Sequence, residues 1–276
     1  MTEEEIQQKI EKNLKSITNR VLVFSGKGGV GKSTVAANLA LGLAYQELDV
    51  GILDVDIHGP NLAKMLGVEG AKLVTGEVGI IPATVNDHLK LVSMSFLLQD
   101  PDLPVIWRGP MKMKAIQQFL GDVEWGSLDW LVIDSPPGTG DEPLSVAQLI
   151  PATGAIIVTT PQEVSLMDSR KAVAFARRLD LKILGIVENM SGLACPHCGK
   201  SIDLFKTGGG ERIARELDVP FLGRVPIDPR IVSLGDEGKS ILSVHPEAES
   251  SRSIQDIVDK VISLAKHKAN NHHSEA

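Results

Sequence analysis

Gly26-Lys-Gly-Gly-Val-Gly-Lys-Ser-Thr34 decides the reading of this 276-residue chain. The stretch satisfies the phosphate-binding pattern Gly-x-x-x-x-Gly-Lys-Ser/Thr at Gly26, Gly31, Lys32 and Ser33. Glycines at 26, 28, 29 and 31, around Lys27 and Val30, let backbone N–H groups turn inward about an anion where a side chain would block the approach. Lys32 sets a point charge on the β- and γ-phosphates, and the Ser33 hydroxyl is a ligand for Mg²⁺. The flanks agree. Residues 20–24 read as a short buried strand and Thr34–Gln46 as a helix, so the phosphates of a nucleoside triphosphate are expected at a helix N-terminus.

Outward from this loop, apolar runs alternate with helical patterns. Val50–Asp54 and Leu128–Asp134 read as further buried strands, 61–66 as a short helix, and 71–97, with Gly76, Gly79 and Pro82, as a β-hairpin excursion. Helices are expected at 111–120, 163–179, 211–217 and 253–266, and strands at 155–160, 182–188 and 221–225. A glycine- and cysteine-bearing loop spans 190–210. Continuous Val/Ile/Leu strands separated by helices predict α/β class: a single P-loop NTPase domain, its sheet mostly parallel with helices on both faces. That domain is expected over 18–268. Residues 1–17 form an N-terminal helical extension, with Ile6, Ile10, Leu14 and Ile17 at helical spacing, and 269–276 a flexible tail.

Composition narrows the function classes. The 28 Lys+Arg against 35 Asp+Glu give a net charge of −7, and aromatics make up 4%. With no extended basic cluster, nucleic acid is not an expected partner. No apolar run reaches the about 20 residues of a membrane span, and the acidic N-terminus does not resemble a signal peptide. Two cysteines give no disulfide framework and suit a reducing compartment, the cytoplasm.

In such a fold, ligands bind at the C-terminal ends of the strands. Asp54-Val-Asp56 and Asp134-Ser-Pro-Pro-Gly138-Thr-Gly140-Asp141 fall there. Asp134 and Asp54 suit Mg²⁺, which keeps most of its waters and uses carboxylates to orient them. Asp56, further along a flexible loop, is the candidate for positioning or deprotonating the attacking water. Gly138 and Gly140 give the second loop freedom to respond to a γ-phosphate, and Asp141 reads as a helix cap. Cys195-Pro-His-Cys198 holds both cysteines. A redox dithiol, unligated thiols and a metal knuckle all compete for this spacing. Zinc and Fe–S clusters generally take four protein ligands, so two copies of the chain around a two-fold axis would complete a centre that one copy half supplies.

With its Asp-x-Asp and Asp-x-Pro-x-Gly-type loops, the Lys27–Ser33 stretch resembles the deviant Walker-A ATPases, among them MinD, ParA and the nitrogenase iron protein. The resemblance implies that Lys27 reaches across a homodimer interface to the other subunit's phosphates, where positive charge assists phosphoryl transfer alongside Lys32 and Asp56. It also implies that Asn189 contacts the adenine of ATP. Glu188-Asn-Met-Ser191, Cys195-Pro-His-Cys198-Gly, Phe205 and Gly208-Gly-Gly210 narrow the likeness to the Mrp-like iron–sulfur cluster carrier ATPases. Asp56-Ile-His-Gly-Pro60 and Trp107-Arg-Gly-Pro110 belong to the same pattern, which runs over about residues 18–265. That branch implies slow ATP hydrolysis by a homodimer that holds a labile 4Fe–4S cluster between Cys195 and Cys198 of two subunits. Apo iron–sulfur proteins are the implied recipients. The cysteine-rich or separate N-terminal segments of some relatives are not seen, so a second stable cluster is not expected.

Three other assignments use the same fold. A MinD/ParA-type spatial organiser would leave the Cys-x-x-Cys without a task. Moreover Ile254, Ile257, Val258, Val261 and Ile262 read as a face packed on the body rather than on a membrane. Nitrogenase-type electron transfer uses cysteines far apart in sequence. A structural zinc at Cys195 and Cys198 would leave a regulatory ATPase. Arg108 and His58 read as surface and loop residues outside the core site.

Overall fold

The computed structural model describes residues 2–56, 59–76, 79–97, 109–194, 198, 200–202 and 204–271. The first half contains α1 (Glu3–Leu14), β1 (Ile17–Phe24), α2 (Lys32–Ala44), β2 (Val50–Asp54) and α3 (Leu62–Met65). There follow β3 (Val74–Thr75), β4 (Ile80–Ile81), β5 (Ala83–Asn86), β6 (Leu89–Ser93), α4 (Gly109–Asp122) and β7 (Leu128–Asp134). The second half contains α5 (Asp141–Leu149), β8 (Gly154–Thr159), α6 (Glu163–Arg178), β9 (Ile183–Ala194) and β10 (Ser201–Ile202). It closes with α7 (Gly209–Glu216), β11 (Phe221–Ile227), α8 (Pro229–Asp236), α9 (Ile241–Val244) and α10 (Glu249–Asn271).

Among the described residues the main sheet runs β10-β9-β8-β1-β7-β2-β6-β5, with β11 also paired to β9. Its centre is parallel and both edges carry an antiparallel strand, β5 on β6 and β10 on β9. β2, β7 and β8 are almost wholly buried because helices cover both faces, which is why they read as unbroken apolar runs. One face packs Ile10 and Leu14 of α1, Phe119 of α4, Leu166 of α6 and Ile213 of α7 into one core. The other packs Leu39 and Leu43 of α2, Leu62 of α3 and Val258 of α10. Each such side chain contributes about 1.5–3 kcal/mol when fully buried. Ile254, Ile257, Val258 and Val261 are all buried, so the apolar stripe of the last helix is spent on the body. No described helix is long and apolar enough to cross a membrane.

Two expectations need correction. β3–β4 is a separate hairpin, and β5–β6 is a second one built into the main sheet, where β6 pairs in parallel with β2 from Val50↔Leu89 to Asp54↔Ser93. Lys90 disguises that strand. Its stem is half-buried and its ammonium donates to the Trp125 carbonyl, so a charged residue occupies a main-sheet position. The 190–210 loop is also not a plain loop. β9 continues to Ala194 because β11 pairs along it as far as Leu193, and β10 closes on it through Ser201↔Ala194 and Ile202↔Leu193. Cys198 therefore lies between the paired strands β9 and β10. α8 and α9 were not anticipated, although Asp228-Pro229 is a cap-plus-proline start for α8.

Candidate functional site

Strand register assembles the site. Val23 of β1 and Asp54 of β2 both lie beside Asp134 of β7, which puts two carboxylates on adjacent strand ends beneath the glycine-rich loop. Both are fully buried. Lys32, from the first turn of α2, lies over them with its ammonium 2.6 Å from Asp134 Oδ1, 3.6 Å from Asp56 Oδ2 and 3.4 Å from Ser33 Oγ. Asp54 is used at both oxygens: Oδ1 accepts from the Asp56 amide at 3.1 Å and Oδ2 from Ser93 Oγ at 3.0 Å. Asp56 is thus buried and tethered, not on a flexible loop as expected, because Asp54 holds its backbone and Lys32 its carboxylate.

Burial, with the neighbouring Asp134 charge, pushes the Asp54 carboxyl well above the usual 3.8, against the pull of Ser93 and Lys32. Burial likewise raises Asp134, against Lys32 and the Ser33 hydroxyl. A carboxyl that keeps its proton in the native state, where the unfolded chain has lost it, takes stability away as pH rises above 3.8. Asp54→Asn, which keeps the acceptor for the Asp56 amide, is therefore expected to raise the Tm of nucleotide-free protein by a few degrees at neutral pH. Melting curves from pH 5 to 8 should show the gap over wild type widening; a constant gap would mean that Asp54 does not titrate as the geometry requires.

The loop itself is shaped for an anion. Gly31, at φ 79°, caps α2 without any side-chain bond, leaving the helix's first N–H groups to face the cleft. A Cβ at Gly31 would collide with Asn189 Nδ2, and one at Gly26 with the Asp168 carbonyl of α6. The cleft, about 260 Å³, is lined by Gly28, Gly29, Ser33, Thr34, Asp56 and Pro137 among others. Asp134 Oδ2 is buried with no hydrogen-bond partner. A carboxylate oxygen without a partner, on a side chain next to the Ser33 hydroxyl, fits Mg²⁺ carried in with phosphates. Gly138 N–H donates to the Ser25 carbonyl at 2.9 Å, anchoring the start of the loop after β7. Asp141 does not cap α5; it stands in the first turn behind the N-cap Gly140, where its charge complements the helix dipole.

Lys27 is half-buried, with its carbonyl accepting from Ser25 Oγ at 2.8 Å. Asn189 donates from Nδ2 to the Val30 carbonyl at 2.9 Å. Asn189 also lines a second groove, about 490 Å³, that shares Thr34, Asn61 and Met65 with the phosphate cleft. Sequence reasoning missed the rest of that groove, which includes Asp228 and Ile231. Burial pushes the Asp228 carboxyl up, but its bonds to Arg230 and Ser250 outweigh this and bring it to about 2. The role of Glu188 was missed too. It is fully buried and accepts from Ser191 Oγ and from the amides of Gly208 and Gly210, with Arg224 Nε 3.6 Å away. It thus ties β9 to the start of α7. Cys198 is exposed in the β9–β10 connection. Cys195, His197, His58, Trp107 and Arg108 lie outside the described residues. Among the described residues no cluster of three or more His, Cys, Asp or Glu side chains is arranged to hold a metal ion.

Residues 16–262 match the family described as ParA: NUBPL iron-transfer P-loop NTPase. The chain belongs to this family. As a P-loop NTPase of that family it is an ATP hydrolase and binds ATP and Mg²⁺. An iron–sulfur cluster carrier protein of Methanocaldococcus jannaschii is 50% identical over 256 residues, 92% of this chain and 88% of that one. Another from Saccharolobus solfataricus is 49% identical over 257 residues, 93% and 87% of the two chains. A nucleotide-binding protein of Archaeoglobus fulgidus, solved in complex with ADP and with cobalt found in it, superposes with a TM-score of 0.76. It is 40% identical, and the match covers 84% of this NTPase and 91% of that chain. The cell-division ATPase MinD of Pyrococcus furiosus shares the fold at a TM-score of 0.68 and 24% identity, covering 90% and 99%.

Proposed function

We propose that this NTPase is a homodimeric carrier that holds a 4Fe–4S cluster as cargo on Cys195 and Cys198 of two subunits and releases it to apo-proteins under the control of ATP. One observation carries the reading: Cys198, one of the chain's two cysteines, stands exposed beyond the end of β9, the strand whose Asn189 bonds to the phosphate-binding loop. An exposed thiol on a sheet edge suits a labile cargo, since a recipient can reach it. Two thiolates per copy make four for the pair, the number such a cluster requires. The relatives named as iron–sulfur cluster carriers support the same choice.

In this reading Lys32 leaves Asp134 and Asp56 for the β- and γ-phosphates when the nucleotide arrives. Asp134 and Ser33, with Asp54 behind them, would hold Mg²⁺, which would supply charge to neutralise the phosphates. With Lys32 drawn to the phosphates, the Asp56 carboxylate orients the attacking water, its backbone still held by Asp54. Asn189 serves the adenine from the neighbouring groove while its amide supports the loop. Lys27 comes from the second copy. Gly26 rests on α6, whose Val164 and Met167 are 64% and 63% exposed, an apolar surface beside the cradle that suits a dimer face.

The test is anaerobic reconstitution with iron and sulfide counted per dimer. Wild type should carry four irons per two chains with visible cluster absorption, while Cys195→Ala and Cys198→Ala should carry none and still bind ATP. Full cluster retention in either variant would end the bridging reading. Colourless protein holding zinc after reconstitution would assign the pair to a structural metal instead.

A further inference from the structure

α2 carries Lys32 at its start and Tyr45 as its C-cap, so its two ends are about 20 Å apart, the length of 13 helical residues. At the Tyr45 end a second concavity opens that has no part in phosphate chemistry. Gly42, almost one turn before Tyr45, lets α2 close on α10 and α9. A Cβ there would stand 2.6 Å from Val258 Cγ2 and 3.6 Å from Leu242 Cδ1. Tyr45 is thereby brought beside the α9–α10 connection, and together they shape a groove of about 420 Å³ lined by Tyr45, Leu242, Pro246, Arg252 and Gln255 among others. Its walls are fixed from behind. Ser251 Oγ, buried, donates to the His245 carbonyl at 2.7 Å and lies 3.2 Å from the Ile241 carbonyl, holding α9 to α10. Gln46 Nε2 and Gln255 Nε2 both donate to Asp259 Oδ1, at 2.7 and 3.2 Å, tying the end of α2 to α10.

The lining is apolar with one uncommitted charge. Tyr45 is 46% exposed, Pro246 is exposed and Leu242 is half-buried. Arg252 is exposed, and among the described residues its guanidinium has no ion pair and no hydrogen bond. Glu249 and Asp256, three residues before it and four after it on α10, leave it unpaired. A concave, mostly apolar surface with a few polar groups to fix orientation is the make-up of a small-ligand site. The charge selects the head group. A guanidinium forks onto a planar carboxylate, one charge against one. A phosphate dianion would sit by the negative end of α2, on a segment carrying Glu247, Glu249 and Asp256, with a single cation to balance it. We propose that this groove binds a small monocarboxylic acid with a flat apolar body, its carboxylate on Arg252 and its ring against Tyr45 and Pro246. The groove shares no residue with the phosphate cleft or the cysteine segment, so its occupancy does not depend on how either is read.

The test uses full-length protein and 4-phenylbutyrate as the probe, followed by saturation-transfer NMR of its ring protons. Wild type is expected to bind it saturably with a Kd of about 1 mM or below. Arg252→Gln should weaken binding about tenfold, and Tyr45→Ala about fivefold. The uncharged 4-phenylbutanamide should bind wild type about tenfold more weakly than the acid. Saturating MgATP and inorganic phosphate should each leave probe binding unchanged. Arg252 and Tyr45 are at the surface, so both variants should melt with wild type, which verifies the fold. Absence of saturable binding to wild type overturns the proposal, as does unchanged affinity in either variant or equal affinity for the amide. Displacement of the probe by MgATP would place it in the nucleotide site instead, and displacement by phosphate would make the groove a general anion site; either result also overturns it. None of these measurements involves iron or turnover, so their failure leaves the carrier reading to reconstitution.

Discussion

Replacing Lys32 by methionine is expected to lower kcat for ATP hydrolysis by at least about 10³-fold, because the charge that follows the transferring phosphoryl is gone. The structure adds a second consequence. The Lys32 ammonium is 6% exposed and is the cation bonded to Asp134 at 2.6 Å, with Asp56 at 3.6 Å. Asp54 lies alongside, fully buried. Removing the cation leaves buried carboxylates uncompensated, a change costing about 3 kcal/mol at neutral pH. The loss should shrink as pH falls, since the orphaned carboxylates then take up protons that the native state binds more tightly than the unfolded one. Urea unfolding at pH 5 and pH 8 measures this directly. A stability loss of the same size at both pH values would show that Lys32 does not neutralise the pair.

Lys27→Ala should reduce turnover by about 10²–10³-fold while leaving ATP affinity within a few-fold of wild type, as befits a charge that acts mainly on the transition state. The proposed action of Lys27 from the second copy has a sharper test. In a hybrid dimer of Lys27→Ala with Lys32→Met, one cradle regains both lysines: its own Lys32 and the other copy's Lys27. Random pairing of equal amounts should then restore about a quarter of wild-type turnover from two nearly inactive proteins, since half the dimers hold one working site of two. No recovery on mixing, with hybrid formation verified by tagged subunits, would place Lys27 on its own nucleotide or outside the chemistry.

Local patterns carried much of the site. The loop at Gly26–Thr34 is legible because phosphate binding is done by backbone amides in a fixed order, which sequence spacing records directly. Val50–Asp54 and Leu128–Asp134 are strands with the expected bounds because both faces are covered and nothing polar interrupts them. Lys90 hid β6, since a long side chain can bury its stem and send its charge elsewhere. Hydrophobic periodicity ended β9 at Glu188, but pairing with β11 and β10 carries it on past Glu188, Asn189 and Ser191.

The sequence by itself determined the phosphate cradle, the acidic strand ends, the α/β alternation and the paired thiols, all properties of short segments. Only the tertiary structure decided what those segments meet. Lys32 and Asp134 are 102 residues apart, and Asn189 and Val30 are 159 apart, yet each pair is in hydrogen-bond contact. Parallel strand register and the crossover helices bring them together, and neither is written in the spacing of any one segment. For the same reason Asn189 reaches the glycine-rich loop: β9, which carries it, is held between β8 and β11 in the sheet.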